Sequence, residues 1–339
     1  MTRRMSWIAC RPAMTRGALL AGAAALLSLA IGSGAAVAKD IKIGWTSYPA
    51  DLAVIADSID GAKNAAKELG VNVEFALAAG AAAQANAMDN LLSLNVDVIA
   101  IDPEDSKAIG PSIKKANEAK VPVIMFIGDN LGGGTTATLI SSDEEAGGYN
   151  IAKWAFEKIG GEGKVALVQG AKAHQAGLLR ENGFQRAMKE FPKIQLVAYG
   201  EANWMADKAN ALAADFLTKE PDVKLIIALS DAMAKGVASA AKVAGATPVI
   251  TGYNGDCETL NKVWTGQITA DLYQGWRDIG GQVVKTGVDI ANGKTVPPKI
   301  VMPTYIVDKP LMEKIGNGSS EGTTPGLVAD VKRAIAGCK

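Results

Sequence analysis

Short polar and aromatic side chains follow a series of apolar segments along the chain, and almost no cation lies among them. They are Ser47, Tyr48, Asp51, Asp102, Asp129, Asn130, Trp204, Ser230, Asp231, Asn254 and Gln274. Carboxylates and amides exchange hydrogen bonds with hydroxyl groups, while aromatic rings stack on C–H faces. The set therefore predicts a site for a small hydroxylated molecule. The alternative for each residue taken singly is a helix cap in a strand-to-helix turn.

Other kinds of chemistry find little support in the residue pattern. His174 is the only histidine, and its polar surroundings favour a surface or pocket-rim position over a role as general base. The chain has no Gly-x-Ser-x-Gly elbow and no His-Glu-x-x-His pair. Gly293-Lys294-Thr295 and Gly132-Gly133-Gly134 lack the spacing and helix context of phosphate and dinucleotide loops. We therefore expect a protein that is not an enzyme and carries no cofactor or metal.

The apolar segments alternate with helical patterns, and this alternation restarts after Gly160. The segments span 41–46, 71–76, 96–101, 121–126, 165–169, 194–199, 225–229, 249–253 and 269–273. Such alternation predicts parallel sheets that helices cover on both faces. Glycines at 147–148 and 160–163 interrupt the middle, which favours two sheets of about five strands over one of nine or ten. Ligands bind beyond the carboxyl ends of the strands in such sheets, where the polar residues lie.

The first 38 residues have the pattern of a secretory signal peptide. Four arginines precede an apolar stretch from Ala18 to Ile31, which ends in the small-x-small motif Ala36-Val37-Ala38. The stretch is shorter than the about 20 residues that span a bilayer, although an uncleaved anchor is the alternative. No cysteine follows the motif, so we expect no lipid anchor. Cleavage after Ala38 would place the mature protein in the periplasm.

The mature chain of about 300 residues is long enough for two domains. The four arginines leave with the signal peptide, so the mature chain has four more acidic than basic residues. This balance provides no basic face for nucleic acid. No second hydrophobic segment of membrane length follows, and we expect a soluble monomer.

Two cysteines, Cys257 and Cys338, remain after the signal peptide is removed. An even number of thiols permits pairing outside the cytoplasm, and their spacing fits no zinc pattern. We predict a disulfide between them. The alternative is two free thiols that lie too far apart to join.

A set of short motifs stands in order between Lys39 and about Lys309. They are Asp102–Gly110, Val121–Ile124, Ser142-Asp143 with Gly147-Gly148, Arg180 with Gly183-Phe184, Ser230–Ala234, Gly252–Gly255 and Gly266–Ala270. Over nearly the whole mature chain, these motifs resemble the ribose-type periplasmic sugar-binding proteins of ABC importers. The resemblance implies the type I periplasmic binding protein fold. In this α/β fold, two Rossmann-like lobes with parallel sheets flanked by helices are joined by a three-segment hinge and close on the ligand.

The resemblance also implies the extent of each lobe. The N-terminal lobe would hold residues 39–141 and 275–304, and the C-terminal lobe 142–274 and 305–308. The composition of residues 309–339, rich in Gly, Ser and Thr around 316–325, indicates a C-terminal tail with one late helix.

Several site residues are implied by the same resemblance. Arg180 would grip sugar hydroxyls and Trp204 would stack on the sugar, although a surface ion pair of Arg180 with Glu181 or Asp143 is the alternative. Ser230 and Asn254 stand where the family has Asn and Asp, while Ser47 and Gln274 match family residues. With these, the ligand-binding set that we predict is completed by Tyr48, Asp51, Asp129 and Asp231.

Two departures from the family pattern bear on the ligand. Ile127-Gly128 stands where ribose-type members have an Asp-Arg pair that anchors the sugar. The segment 48–52 is one residue shorter than in the family and lacks its Phe pair. We therefore expect that the site does not bind D-ribose in the family's pose, and the ligand's identity stays open.

The function that we predict is that of a substrate-binding protein of an ABC importer. It would capture a small sugar, polyol or related hydroxylated compound by lobe closure and deliver it to a membrane permease. The alternatives are a sensory protein that presents its ligand to a membrane receptor and a binding protein for a non-sugar molecule. A sugar-responsive repressor would need a DNA-binding motif where the signal pattern lies.

Overall fold

The chain is organised as two lobes, each built on a six-stranded sheet flanked by helices. The computed structural model describes residues 40–338, so the predicted signal peptide lies outside the described residues. The α/β fold of two Rossmann-like lobes that the sequence predicts is confirmed. Each sheet has six strands where the sequence predicted about five.

The N-terminal lobe contains an all-parallel sheet. Its strands are β1 (Lys42–Thr46), β2 (Asn72–Phe75), β3 (Val98–Ile101), β4 (Val123–Phe126), β5 (Thr138–Ser141) and β11 (Lys299–Val301), in the order β11-β5-β4-β3-β1-β2. Its helices are α1 (Ala53–Leu69), α2 (Ala81–Ser93), α3 (Gly110–Glu118) and α9 (Trp276–Ala291). The central strands are buried on both faces, because helices cover both sides of the sheet.

Helices α1 and α9 show why residues beyond 275 belong to this lobe. Helix α1 buries Ile55 and Ile59 on one stripe and ends at Gly70, which has the left-handed φ of 66°. The backbone of α9 approaches α1 so closely that a Cβ on Gly61 would lie 2.0 Å from the carbonyl oxygen of Arg277. Gly280 of α9 lies equally close to the backbone of Ser58 in α1. A glycine on each helix therefore permits the contact.

The C-terminal lobe contains the second sheet, which is parallel except at one edge. Its strands are β6 (Glu162–Gln169), β7 (Lys193–Glu201), β8 (Leu225–Ala228), β9 (Val249–Asn254), β10 (Ala270–Gln274) and β12 (Thr304–Asp308), in the order β12-β10-β9-β8-β6-β7. Its helices are α4 (Glu144–Lys158), α5 (Gln175–Met188), α6 (Ala206–Lys219), α7 (Asp231–Ala244) and α8 (Cys257–Trp264). Only the β10–β12 pair is antiparallel among these strands.

The chain passes between the two sheets three times: from β5 to α4, from β10 to α9, and from β11 to β12. The last passage supplies the sixth strand of each sheet, because β11 pairs with β5 and β12 with β10. The residue boundaries of the lobes stay a prediction.

The C-terminal segment is more ordered than the tail with one helix that the sequence predicts. It forms two helices, α10 (Lys309–Gly316) and α11 (Pro325–Ile335). Helix α10 begins at once after β12, because the Asp308 carboxylate accepts a hydrogen bond of 3.0 Å from the backbone N–H of Leu311. Leu327 and Val331 of α11 are fully buried in the core of the C-terminal lobe.

A disulfide joins Cys257 to Cys338, with a Cα–Cα distance of 5.8 Å. It fastens the end of the described chain to the start of α8. Helix α11 also reaches the N-terminal lobe, because Arg333 lies 3.6 Å from Asp57 of α1. No helix within residues 40–338 is both long and apolar enough to cross a membrane.

Candidate functional site

A cleft of about 610 Å³ lies between the lobes, beyond the carboxyl ends of strands from both sheets. Of the predicted site residues, those that line it are Tyr48, Asp51, Arg180, Trp204, Ser230 and Asn254. Apolar side chains make up much of the remaining wall, among them Ile127, Met205 and Trp276. The cleft thus combines apolar and aromatic surface with a few polar groups, the usual composition of a small-molecule site.

Arg180 is buried in this cleft with an exposed fraction of 2%, and it belongs to a polar network. Its Nε donates to Glu144 over 2.8 Å, and its terminal nitrogens donate to the Leu229 carbonyl over 2.8 Å and to Gln274 Oε1 over 3.3 Å. A guanidinium has five N–H groups, and these bonds engage three of them. The alternative of a surface ion pair with Glu181 or Asp143 is wrong, because the partner is the buried Glu144.

Glu144 is the centre of that network, and the sequence analysis does not single it out. Its carboxylate also accepts hydrogen bonds from Ser141, from the Tyr253 hydroxyl over 3.0 Å and from Gln274 Nε2 over 2.5 Å. It is the first residue of α4, directly after the chain passes between the lobes. The negative charge of Glu144 offsets the positive charge of Arg180 inside the protein, so the pair is neutral as a whole.

Trp204 is half-buried, lines the cleft and lies against Gly170. A Cβ on Gly170 would lie 2.0 Å from the indole ring, so the ring occupies this position only because residue 170 is glycine. The Arg180 guanidinium carbon is 5.6 Å from the ring centroid. The backbone of Trp204 has a φ of 64°, which costs a non-glycine residue energy and is typical of functional sites.

Asn254 presents an acceptor that the described protein leaves unused. Its Oδ1 is buried and has no hydrogen-bond partner within residues 40–338. Its φ of 128° lies in the region that side chains rarely adopt. A buried amide oxygen without a donor costs roughly 1–3 kcal/mol, so this group is suited to accept a hydrogen bond from a ligand. The indole N–H of Trp276, another lining residue, is likewise buried without a partner among the described residues.

Four predicted site residues do not line the cleft, and other protein groups bond to them. Ser47 bonds to Trp45 and to the backbone of Tyr48, and Gln274 bonds to Glu144 and Arg180. Asp129 accepts from the backbone N–H of Asn130 over 2.8 Å. Asp231 accepts from the backbone N–H groups of Tyr253 and Asp256. The predicted ligand contacts of these four residues stay predictions.

Asp231 forms a buried carboxyl pair with Asp271 of β10. Both side chains approach Gly252, since a Cβ there would lie 2.6 Å from Asp271 Oδ1 and 2.9 Å from Asp231 Oδ1. Burial raises the pKa of Asp231 and raises the pKa of Asp271 to about 7. Because two buried carboxylates repel each other, the pair retains one proton in the folded state near neutral pH.

The raised pKa of Asp271 predicts how stability depends on pH. The folded protein holds a proton that the unfolded chain releases, so the contribution of Asp271 to the free energy of unfolding falls as the pH rises from about 4 to about 7. We expect Asp271→Asn to flatten this fall, by on the order of 1–3 kcal/mol at pH 7, because the amide replaces the protonated carboxyl. Urea unfolding of both proteins at several pH values measures it. Equal slopes for the variant and the wild type would contradict the prediction.

His174 is buried rather than at the surface, and it joins the two lobes. Its Nε2 lies 3.0 Å from Asp102 Oδ1, and both side chains line the cleft. Asp102 follows β3 in the N-terminal lobe, whereas His174 precedes α5 in the C-terminal lobe. A single histidine in a polar segment carries no pattern from which this role could be predicted.

The mouth of the cleft is acidic. Asp51, Asp207 and Glu258 are exposed lining residues. Lys235 is engaged by Asp256 over 2.9 Å and by Glu258 over 3.1 Å. This balance of charge disfavours an anionic ligand. Within residues 40–338, no cluster of three His, Cys, Asp or Glu side chains is placed to hold a metal ion.

Residues 43–295 match the family model of the periplasmic binding protein domain. The chain belongs to the periplasmic binding protein family. Within this family, a D-allose-binding periplasmic protein of Escherichia coli K12 is 31% identical over 254 residues, covering 71% of this chain and 82% of the relative. A ribose import binding protein of Bacillus subtilis 168 is 28% identical over 266 residues, covering 78% and 86%.

A solved structure supports the same family. An ABC transporter periplasmic solute binding protein from Actinobacillus succinogenes 130z, with bound D-allose, has a TM-score of 0.76 and 25% identity. The superposition covers 80% of this chain and 98% of that one.

Proposed function

We propose that this periplasmic binding protein is the substrate-binding component of an ABC importer. It captures a small, uncharged sugar or polyol between its lobes and delivers it to a membrane permease. The observation that carries the proposal is the hydrogen-bonding capacity of two buried lining groups that no described residue engages, the Asn254 Oδ1 and the Trp276 N–H, beside the Arg180 guanidinium. A hydroxyl group can both donate and accept a hydrogen bond, so a ligand with several hydroxyl groups can pair with the donors and the acceptor in this cleft.

The charges favour an uncharged ligand. Arg180 is the family's sugar-gripping arginine by resemblance, and here the buried Glu144 offsets its charge. The acidic mouth would repel a carboxylate or phosphate group. Trp204 and Tyr48 offer rings for the C–H faces of a sugar, as aromatic residues in such sites do.

The relatives support the class of ligand and the transport role. The two curated relatives bind D-allose or import ribose, and the solved neighbour is a component of an ABC transporter. Ile127-Gly128 in place of the family's Asp-Arg pair favours a ligand, or a pose, other than that of D-ribose. We further propose that the protein is not an enzyme, acts as a monomer and works in the periplasm after cleavage behind Ala38.

Native mass spectrometry of freshly purified, exported protein tests this proposal. We expect a mature chain that begins at Lys39 and retains a ligand of sugar or polyol mass. Calorimetry with that compound, on protein stripped by unfolding and refolding, should then give one site per chain. A chain that begins at Met1 would overturn the localisation. A retained anionic ligand, or no binding by any sugar or polyol, would overturn the assignment of an uncharged hydroxylated ligand.

A further inference from the structure

His174 makes a second hydrogen bond, which defines the tautomer of its neutral ring. Its Nδ1 accepts from the backbone N–H of Ala176 over 3.2 Å and so caps α5. An accepting Nδ1 carries no proton, so in the neutral ring the proton resides on Nε2. The Nε2–H therefore donates to Asp102 Oδ1, and Asp102 is the acceptor in this contact.

The space for His174 exists because residue 128 is glycine. A Cβ on Gly128 would lie 2.6 Å from His174 Nε2 and 2.8 Å from its Cε1. The imidazole thus fills the room that a side chain at position 128 would take. His174 of the C-terminal lobe thus lines the cleft beside Asp102 of the N-terminal lobe.

The residues beside His174 also bond across the cleft. Within the interlobe segment, residues 173–175, the Ala173 carbonyl accepts from the backbone N–H of Ser106 over 3.1 Å. The backbone N–H of Gln175 donates to Ser106 Oγ over 3.1 Å, and Gln175 Oε1 accepts from the backbone N–H of Asp129 over 3.1 Å. Separation of the lobes would break these bonds together with the His174–Asp102 bond.

Asp102 is the residue of the N-terminal lobe that His174 contacts. It lines the cleft, and its Oδ1 is the atom that lies 3.0 Å from His174 Nε2. A carboxylate has about four acceptor positions, so capacity remains for a ligand hydroxyl. Without His174, a carboxylate of 2% exposure would lose one of its donors and the support that orients it.

We propose that His174 is a positioning residue, which orients Asp102 for a ligand hydroxyl from the opposite lobe. Because the bonds of the interlobe segment join protein groups only, they also favour the closed arrangement of the lobes. This inference rests on the proposed function for the identity of the ligand, but lobe closure can be measured without any ligand.

Three variants separate positioning from stability. His174→Asn keeps a side-chain acceptor for the α5 cap but is too short to reach Asp102. Gly128→Ala displaces the imidazole. The matched control, Asp308→Ala, removes a helix cap on α10 without touching the cleft.

The first measurement is small-angle X-ray scattering of stripped protein. We expect His174→Asn and Gly128→Ala to increase the radius of gyration of the ligand-free form, and Asp308→Ala to leave it at the wild-type value. Combining Gly128→Ala with His174→Ala should restore part of the compactness, because the clash with the imidazole disappears while only the 3.0 Å approach to Pro103 Cδ remains. If His174→Asn scatters like the wild type and the control, the closing role of His174 is overturned.

The second measurement is calorimetry with D-ribose, D-allose and xylitol. For any of them that the wild type binds, His174→Asn should lower the affinity by about tenfold or more, since a hydrogen bond to a charged group is lost. An equal affinity would overturn the positioning role. If the wild type binds none of the three, the proposed ligand class is weakened while the scattering result still decides on His174.

Discussion

Replacement of Arg180 by Ala is expected to weaken ligand binding by about ten- to more than a hundredfold. The change removes the guanidinium N–H groups that would bond to ligand hydroxyls and leaves those hydroxyls desolvated and unpaired. Arg180→Lys should weaken binding nearly as much, because an ammonium group cannot reproduce the planar fork that reaches Glu144, Leu229 and Gln274 together. Trp204→Ala should also weaken binding through lost stacking area, whereas Trp204→Phe should be mild.

Calorimetry with the compound that native mass spectrometry identifies measures these effects. Arg186→Ala is the matched control, since Arg186 pairs with Glu145 over 3.0 Å on the same two helices but is exposed. We expect the control to stay within twofold of the wild type. Affinities within twofold for both Arg180→Ala and Trp204→Ala would show that the ligand binds elsewhere.

Removal of the disulfide is expected to cost about 2–5 kcal/mol of the free energy of unfolding. The bond closes a loop with a sequence separation of 81, which limits the freedom of the unfolded chain. It also holds α11, whose Leu327 and Val331 are fully buried in the core of the C-terminal lobe. Urea unfolding of the double variant Cys257→Ser and Cys338→Ser measures the loss.

Reduced wild-type protein is the control, and it should lose as much stability as the double variant. A thiol assay on denatured, unreduced protein should find no free thiol. Two free thiols per chain, or equal stability with and without the bond, would contradict this prediction.

The main features of the fold could be predicted from the sequence, because they rest on local patterns. Strands such as Val98–Ile101 and Leu225–Ala228 are continuous apolar runs, and they lie where the sequence predicted strands. The short edge strand Lys299–Val301 has no such pattern, since two of its three residues are exposed. Helix α10 was not predicted either, because a segment of eight residues that begins with Lys-Pro is too short to show a clear helical periodicity.

The site could be predicted only in part, because a position at a strand end does not tell which way a side chain is directed. Arg180, Trp204 and Asn254 line the cleft, whereas Gln274 is directed towards Glu144. Glu144 itself resembles any acidic residue in the first turn of a helix. The contact between His174 and Asp102 joins residues 72 positions apart, and only the tertiary structure brings them together.

Each lobe contains segments from distant parts of the chain, and this affects how the protein can fold during its synthesis. Helix α9 supplies Ile279 and Val283 to the core of the N-terminal lobe, and β12 completes the sheet of the C-terminal lobe from residue 304 onward. Neither lobe can therefore finish its core while the ribosome is still translating the first 275 residues. Contacts that span so much sequence form slowly, because loop closure must precede them. The complete native lobes therefore form only after most of the chain has been synthesised.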